Sequence, residues 1–424
     1  MRRETPMEGK TAALAVLIPS RGWSEDLDPA RSAPHDSVLV KILHTADWHV
    51  GKTLRGRSRA DEHRAVLDEI VAIAEREAVD IVLVAGDQFD RAVPSPESEE
   101  IVYDALLRLA RTGAHVVVIA GNHDNPRRLA AVKPLLELTN VTAASRVARP
   151  DDGGVVRVPT KSGETACIAL FPFQSKRGIV TAEALMGGDP DDHQKEYSGR
   201  CRKIAAALCE QFSPETVNLV VGHLTVVGAA MGGGEREAHI FDYYLPADIF
   251  PTSAHYVALG HIHKPQMIPG KCPIWYAGSP FALDFGEAHG ENCVLVVEAA
   301  ANRPARVQEI PLTSGRALRT LRGSSLDLDA LEGTTGDDFL RVIVEEAPSP
   351  GLAERVRGMF PHAVDVIVAR PNGAGDSHEP VDPRKLRDPR TQFRRYLKER
   401  DIAGKELAGL FDELLDEEYA SATA

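Results

Sequence analysis

The sequence predicts an α/β protein whose β-sheets are buried on both faces. Near-continuous apolar runs, such as "VLVKIL" and "DIVLVAG", alternate with segments whose apolar residues recur at helical spacing. Polar residues follow directly after several of these runs, which places them at the ends of strands. At 424 residues the chain is longer than one hydrophobic core usually serves, so we expect two or three domains.

The first three predicted strands alternate with two helices. The run "VLVKILHTAD" predicts the first strand, and Val66, Ile70, Ile73 and Ala74 share one face of the helix that follows it. The runs "VDIVLVAGD" and "AHVVVIAGNHD" predict the second and third strands. The helix between them has Ser95 as its predicted N-cap, a proline in its first turn and a glycine at its end.

Further strands and a change of pattern define the domains. The runs "ACIALFPF", "VNLVVGH", "HYVALGH", "PIWYAGS" and "CVLVVE" predict more buried strands, so we interpret residues 38–300 as one α/β domain. The succession "DFLRVIVEE", "GLAERVRGMFP" and "AVDVIVARP" predicts a small β-α-β domain over residues 301–371. Residues 372–383 are rich in turn-forming residues and predict a linker, and residues 384–424 predict a pair of helices.

The first 37 residues lack this alternation. Their basic start and the run "AALAVLI" loosely resemble an export signal, but acidic residues precede the run and no A-x-A site follows it. We expect residues 1–37 to be a disordered extension, or to be absent from the native chain because translation begins near Val38 or Val40. Both interpretations stay open at this point.

Composition favours a soluble, cytoplasmic protein. No apolar run is long enough to span a bilayer, and the five scattered cysteines form no CxxC pair, as expected of free thiols in a reducing compartment. The net charge of −13 argues against a protein that binds nucleic acid through bulk positive charge. A local basic groove is still compatible with that charge.

Five of the predicted strands end in residues that bind metals well. One histidine after a strand is usually a core or loop residue. Five coincident strand ends favour a shared site, because the carboxyl ends of strands border a crevice in open α/β sheets. Glycines precede several of these residues and allow close backbone approach. The seven candidate ligands are Asp47, His49, Asp87, Asn122, His223, His261 and His263.

This donor set favours two divalent ions over one structural zinc ion. A structural zinc site needs four ligands and is commonly rich in thiolates, whereas no cysteine takes part here. Two ions that share a carboxylate can bind both the attacking and the leaving oxygen of a phosphate. Carboxylate, amide and imidazole ligands suit manganese or iron, with zinc or magnesium as further options.

The motifs "DWH", "GDQFD", "GNHD", "GH" and "GHIH" resemble the five motifs of the calcineurin-like metallophosphoesterases. Within that family, "KILHTADWHVGK", "GHLTVVGA", "ALGHIHKPQ" and "YAGSPFALDFGE" resemble the bacterial SbcD nucleases, closely from Val40 to Glu287. The resemblance implies a metallophosphoesterase four-layer β-sandwich flanked by helices. It also implies that the β-α-β unit is a DNA-capping domain and that the C-terminal helix pair docks on the ATPase SbcC. Residues 1–37 match nothing in that family.

The same resemblance implies a role for each residue of the site. One manganese ion would be held by Asp47, His49 and His263. The other would be held by Asn122, His223 and His261. Asp87 would bridge the two ions, and His123 would lie beside the scissile phosphate as a catalytic residue. Asp90 and Asp124 would orient the ligands from outside.

The resemblance also implies an activity and partners. The implied activity is two-metal hydrolysis of DNA phosphodiesters, as an ATP-dependent double-strand exonuclease and a single-strand endonuclease. It would open hairpins and blocked ends in DNA repair, recombination and replication, in the cytoplasm at the nucleoid. The chain has no P-loop "GxxxxGK[ST]", so ATP dependence would come from an SbcC-type coiled-coil ATPase. A second copy of the chain would complete the family's complex.

Two further groups of residues are candidates for contacts with DNA and with the partner. Basic residues near the predicted metals either contact phosphates that flank the cut or form a solvated loop. They are Lys52, Arg55, Arg57, Arg59, Arg127 and Arg128. The apolar stripe of the C-terminal helices either docks a partner helix or folds back on its own domain. Its residues are Phe393, Tyr396, Leu397, Leu407, Leu410, Phe411, Leu414 and Leu415.

Two other functions compete with a nuclease. A small-molecule metallophosphodiesterase, acting on cyclic nucleotides, would use the same metal ligands. The basic loop, the β-α-β unit and the helical tail favour the nuclease over it. A metal-binding scaffold without catalysis is the second alternative, and the intact His123 with a full ligand set argues against it.

Overall fold

The computed structural model describes residues 39–175, 190–233, 244–288 and 290–369, together with 393–394, 397, 407–412 and 414. The predicted N-terminal extension and the predicted linker at 372–383 lie outside the described residues. The chain divides into two compact units. The first comprises the residues up to Arg319 with Asp337–Phe339, and the second comprises Thr320–Gly336 with the residues from Leu340 onward.

The bounds of the elements follow the predicted alternation of strands and helices. Within the described residues the strands are β1 Val40–Thr45, β2 Thr53–Leu54, β3 Arg57–Ser58, β4 Ile81–Val84, β5 His115–Ile119, β6 Val141–Ala144, β7 Val155–Pro159, β8 Thr165–Phe171, β9 Thr216–His223, β10 Thr225–Val226, β11 Tyr244–Leu245, β12 Tyr256–Gly260, β13 Gln266–Ile268, β14 Ile274–Tyr276, β15 Cys293–Ala300, β16 Arg303–Pro311, β17 Leu318–Gly323, β18 Phe339–Val344 and β19 Ala363–Val368. The α-helices with both bounds inside the described ranges are α1 Ala60–Arg76, α2 Pro96–Arg111, α3 Pro126–Leu136, α4 Pro190–Cys209, α5 Ser325–Asp329 and α6 Leu352–Met359.

Local sequence explains where the first helices begin and which face they bury. In α2 the Ser95 side chain accepts a hydrogen bond from the Ser98 amide at 3.2 Å, and Pro96 takes the first helical position. The predicted N-cap is therefore confirmed. In α1, Val66 and Ile70 are fully buried, as the helical spacing of its apolar residues predicts.

Two mixed sheets form the first unit, each with six strands among the described residues. The first has the order β16-β15-β1-β4-β5-β6, in which β1, β4, β5 and β6 are parallel. The second has the order β13-β14-β12-β9-β8-β7, in which β14, β12, β9 and β8 are parallel. The remaining strands pair antiparallel.

The two sheets pack face to face and helices cover their outer faces. Ile42 and Leu83 of the first sheet share one fully buried cluster with Leu219 and Val221 of the second. The next residue along β1, Leu43, points to the opposite face and packs with α1 and α2, because side chains alternate along a strand. On the outer face of the second sheet lies α4. The predicted four-layer β-sandwich flanked by helices is confirmed.

The second unit contains the predicted β-α-β arrangement. β18 and β19 are parallel and α6 connects them, while β17 adds a third strand beside β18 that the sequence pattern does not predict. Leu340, Val342, Leu352, Val356 and Phe360 form its buried core. These apolar residues come from both the strands and the helix, so the unit has a core of its own.

The predicted domain boundary at residue 300 is wrong. β16 follows it and pairs with β15 along its whole length, from Cys293 opposite Pro311 to Ala300 opposite Arg303. This strand therefore belongs to the first sheet, and the first unit extends to Arg319. The segment "RPARVQEIP" has few apolar residues because it is an edge strand with one exposed face, so it lacks the apolar run that is typical of a buried strand.

Part of the C-terminal helical region is described. Residues 393–394, 397, 407–412 and 414 have helical backbone, whereas Tyr396 and Leu415 lie outside the described residues. The rings of Phe393 and Phe411 stack at a centroid distance of 4.2 Å, and Leu397 is buried. The side chains that face outward are Leu407, Leu410 and Leu414, which are 47%, 52% and 55% exposed.

None of the helices in the described ranges combines the length and the apolar composition that a membrane crossing requires.

Candidate metal centre

Polar side chains from both sheets meet at one edge of the first unit. They follow the carboxyl ends of β1, β4 and β5 in the first sheet and of β9 and β12 in the second. Such ends border a crevice in α/β sheets. The structure brings together the seven residues that the sequence singles out: Asp47, His49, Asp87, Asn122, His223, His261 and His263.

The backbone at these strand ends adopts a conformation that side chains rarely take. Asp47, His49, Asp87 and His261 all have positive φ, at 52°, 47°, 51° and 98°. Each such residue costs about 1–3 kcal/mol, so the surrounding structure must hold it in place. The Asp47 amide donates to the Gly86 carbonyl at 3.1 Å and the His49 amide to the Asp87 carbonyl at 3.0 Å. These bonds fix the β1 end against the β4 end.

Glycine is required where these loops approach one another most closely. A Cβ atom at Gly121 would lie 2.1 Å from Asp87 Oδ1, and one at Gly86 would lie 2.2 Å from His223 Nδ1. Both distances are far inside van der Waals contact. The glycines before Asp87 and Asn122 therefore let ligand-type side chains pack against neighbouring backbone.

Asp47, His49 and His263 form the first cluster. Their candidate ligand atoms all lie within 4.8 Å of one another, and His49 Nε2 lies 3.1 Å from His263 Nε2. Two imidazole nitrogens bound at about 2.1 Å to one ion lie roughly 3 Å apart when the angle at the ion is about 90°. The separation fits that arrangement.

Asn122, His223 and His261 form the second cluster. Asn122 Oδ1 lies 2.9 Å from His223 Nε2 and 2.8 Å from His261 Nδ1. Asp87 lies between the two clusters, because its Oδ2 atom is 3.3 Å from His223 Nε2 and 3.7 Å from His49 Nε2. One carboxylate thus faces both groups of ligands.

The hydrogen bonds behind the imidazole rings show that the donor set suits a cation. His223 Nδ1 donates to the Ala85 carbonyl at 2.9 Å, so its Nε2 lone pair faces Asn122 Oδ1 and Asp87 Oδ2. His263 Nδ1 donates to Glu287 Oε1 at 2.6 Å, which leaves its own Nε2 as an acceptor. Acceptors that face acceptors in a buried site need a proton or a metal ion between them.

Without a metal, bound protons and neighbouring opposite charges compensate for the acceptor atoms that face one another. Burial lowers the pKa of His223, but the Asp87 carboxylate opposes this and raises it to about 9. Burial would raise the pKa of Asp87, and the charge and hydrogen bond of His223 hold it below its usual range. Burial raises the pKa of Asp47 to about 7 and lowers that of His49 to about 4 and that of His261 to about 3.

The two outer aspartates hold loops in different ways. Asp124 accepts hydrogen bonds from the Gly121 amide at 2.8 Å and the Phe89 amide at 3.0 Å, so it ties the β4 loop to the β5 loop. Burial raises the pKa of Asp124 to about 7. Asp90 pairs with Lys52 at 3.2 Å, and its carboxylate lies 3.6 Å from His49 Nδ1.

His123 lies beside the first cluster, half-buried at the rim. Its Nδ1 atom donates to the Asp90 carbonyl at 2.8 Å, and its amide donates to Asp87 Oδ1 at 2.8 Å. The ring centroid is 4.7 Å from that of His49. The loop that carries His123 is thereby locked to the residue that faces both clusters, with Nε2 as the nitrogen left for chemistry.

Of the predicted DNA contacts, Arg59 does not fit. Its side chain is buried, its Nη2 and Nε atoms donate to Glu62 at 2.8 Å and 3.0 Å, and its guanidinium lies 4.3 Å from the Phe281 ring. It stabilises the interior, and the prediction that it contacts DNA is wrong because its side chain is buried. The sequence places it in a basic run, and only the packing of α1 shows that it points inward.

The other basic residues lie at the surface or the rim. Arg55, Arg57 and Arg127 are exposed. Lys52 is half-buried and paired with Asp90, and Arg128 is exposed and paired with Glu99.

Three residues around the site are not among the predicted ones. Glu287 contacts His263, His63 Nε2 lies 3.1 Å from the His49 carbonyl, and the Phe173 ring stacks near His261 at a centroid distance of 6.3 Å. Glu287 and His63 do not follow a predicted strand, and Phe173, although it ends the run "ACIALFPF", has no side chain that binds a metal. Glu287 does stand at the end of the motif "YAGSPFALDFGE", which is the one signal that could have marked it.

Comparison with known proteins identifies the family to which this chain belongs. The family model of the calcineurin-like phosphoesterases matches residues 40–265. The chain is 36% identical over 284 residues to the SbcD component of the SbcCD nuclease from Bacillus subtilis (strain 168), covering 66% of this chain and 71% of that protein. It is 31% identical over 304 residues to the protein of the same name from Escherichia coli (strain K12), covering 69% and 73%. The relative from Rhodobacter capsulatus is 32% identical over 286 residues, covering 64% and 69%. Family and donor set together imply divalent metals.

Metal uptake should release protons and become tighter as the pH rises from 6 to 8. His223 carries a proton below its pKa of about 9 and must lose it to bind a metal. The affinity for the metal therefore rises by up to about tenfold for each unit of pH increase and each proton released. Calorimetry of Mn²⁺ binding in buffers of different ionisation enthalpy measures the released protons. Equal affinity at pH 6 and pH 8, with heats that do not depend on the buffer, would contradict this account.

Arg59→Ala should lower the free energy of unfolding by about 3–5 kcal/mol, because Glu62 then keeps a buried charge without its cation. Arg57→Ala, two residues away and exposed, is the matched control and should change it by no more than about 0.5 kcal/mol. Chemical denaturation followed by circular dichroism measures both. Equal stability of the two variants would mean that Arg59 has no structural role.

Proposed function

The chain belongs to the calcineurin-like phosphoesterases and, among them, to the SbcD nuclease family, and from this premise we propose that it hydrolyses DNA phosphodiesters with two divalent metal ions. The observation that carries the proposal is the position of Asp87 between two clusters of ligand-type side chains. A shared carboxylate between two sites is the arrangement that two-metal hydrolysis of a phosphodiester needs.

Each cluster would hold one ion. Asp47, His49 and His263 would hold the first ion. Asn122, His223 and His261 would hold the second, and Asp87 would contribute to both. Mixed carboxylate, amide and imidazole ligation favours manganese or iron over calcium, with zinc or magnesium as alternatives. When bound, the two ions neutralise the phosphate charge and lower the pKa of a coordinated water.

His123 is the proposed catalytic residue. Its Nδ1 proton is held by the Asp90 carbonyl and its peptide is held by Asp87, so the ring orientation is fixed before substrate arrives. An imidazole in this position is suited to stabilise or protonate the departing oxygen of the phosphodiester. Asp90 therefore contributes twice, through its carbonyl to His123 and through its carboxylate, which faces His49.

DNA would bind over the exposed basic residues beside the site. Arg55 and Arg57 stand on the hairpin of β2 and β3, directly after the β1 loop, and Arg127 follows the loop that carries His123. Contacts of this kind go to phosphates and carry no sequence information, so we expect binding without sequence preference. Lys52 and Arg128 would join them only by leaving Asp90 and Glu99.

The partner would be an SbcC-type coiled-coil ATPase, with a second copy of this chain in the complex. The relatives are named as components of SbcCD, and this chain has no P-loop of its own. The outward-facing Leu407, Leu410 and Leu414 offer an apolar stripe for a helix of that partner, while Phe393 and Phe411 hold the two helical segments together.

His123→Ala should keep both metals and lower DNA cleavage by about 10²- to 10⁴-fold, because His123 touches the leaving group and not the ions. The assay is cleavage of an end-labelled hairpin DNA with Mn²⁺, with and without the ATPase partner, beside metal content measured on the same sample. His115→Ala is the matched control, since His115 lies at the opposite end of the same strand and should keep full activity.

Loss of metal from the His123→Ala protein would overturn the assignment of His123. Turnover of cyclic AMP with no cutting of the hairpin would favour the small-molecule phosphodiesterase instead.

Asp87→Ala should lose both ions, because it removes the carboxylate that faces both clusters. Metal content after dialysis against Mn²⁺ measures this, with circular dichroism to check the fold. Asp104→Ala, an exposed helical aspartate, is the control with the same change in charge. Retention of two ions by Asp87→Ala would refute the shared carboxylate.

A further inference from the structure

Glu287 is a buried carboxylate placed directly behind one ligand-type histidine. It is 5% exposed, and its Oε1 atom lies 2.6 Å from His263 Nδ1. Its other oxygen, Oε2, accepts from the Leu283 amide at 2.8 Å and from Ser279 Oγ at 3.3 Å. Both oxygens are therefore engaged and the carboxylate cannot rotate away from the imidazole.

We propose that Glu287 is a positioning residue that fixes the tautomer, orientation and basicity of His263 for the ion of the first cluster. The inference rests on the proposed two-metal function and deepens it. A carboxylate that accepts the Nδ1 proton leaves the lone pair on Nε2, which faces His49 and the first cluster. The charge of the carboxylate also makes that nitrogen a stronger donor to a cation.

The Nδ1 atoms of His223 and His49 face weaker or more distant partners than Glu287, so Glu287 acts on one cluster selectively. His223 Nδ1 donates to a neutral carbonyl, that of Ala85. His49 Nδ1 has no hydrogen-bond partner among the described residues and lies 3.6 Å from the Asp90 carboxylate. Among these three imidazoles, only that of His263 has a carboxylate within hydrogen-bond distance of Nδ1, the nitrogen on the side away from its cluster. Removal of that carboxylate should therefore weaken the binding of one ion and leave the binding of the other unchanged.

A merely structural role for Glu287 is the competing explanation, because it also fastens the loop between Ser279 and Leu283. The two roles separate chemically. Ser279→Ala removes one loop contact and leaves the bond to His263 in place. Glu287→Gln keeps the size of the side chain and an oxygen for the Leu283 amide, but it removes the charge from His263.

The test is Mn²⁺ binding by calorimetry on the full-length chain, with Glu287→Gln, Glu287→Ala and Ser279→Ala compared with the wild type. We expect the affinity of one ion to fall by about 10- to 100-fold in Glu287→Gln and at least as far in Glu287→Ala, with the second ion unchanged. Ser279→Ala should bind both ions as the wild type does. Glu291→Gln, an exposed glutamate in the same segment, is the control for the change in charge.

A second readout reports the imidazole itself. In protein with ¹⁵N-labelled histidines, NMR of the metal-free wild type should show His263 with its proton on Nδ1, and Glu287→Ala should lose that preference. Unchanged affinities and an unchanged His263 tautomer in Glu287→Ala would overturn the proposal, as would an equal loss of both ions or an equal loss in Ser279→Ala. A wild-type chain that binds fewer than two ions would instead overturn the proposed function, and this inference with it.

Discussion

The buried carboxylate of Asp87 is the constraint on which the site depends. It is 2% exposed and faces histidines from both sheets, His223 at 3.3 Å and His49 at 3.7 Å. A charge at this depth is tolerated only when opposite charge or hydrogen bonds compensate it. Both sheets must therefore end at the same place, and the left-handed backbone of Asp47, Asp87 and His261 is the strain that this convergence requires.

Residues outside the set of candidate ligands hold the loops of the site in place. Asp124 joins the loops that follow β4 and β5, and Asp90 holds His123 through its carbonyl. His263 is backed by a carboxylate and His223 by a carbonyl, so the two clusters differ in electrostatic support although they share Asp87. Side chains that are already held in place need little reorganisation when a charged substrate binds, so the free-energy cost of reorganisation is small.

The sequence predicts that the seven candidate ligands lie together because each follows the end of a buried strand, and parallel strands bring their carboxyl ends together. The alternation of buried strands and helices, the cap at Ser95 and the β-α-β unit follow from patterns of the same local kind, whereas the four-layer architecture is implied by the resemblance to the family. Arg59 and the boundary at residue 300 could not be predicted in this way. The direction of one side chain in a basic run and the pairing of the edge strand β16 depend on tertiary contacts. Glu287 was missed for the same reason, since its contact with His263 spans a loop without periodicity.

The most direct test of the central claim is anomalous X-ray scattering at the manganese edge from crystals of the Mn²⁺-loaded chain. The account predicts two peaks roughly 3.5–4 Å apart, both within bonding distance of the Asp87 carboxylate. A single peak, or two peaks of which only one contacts Asp87, would contradict it.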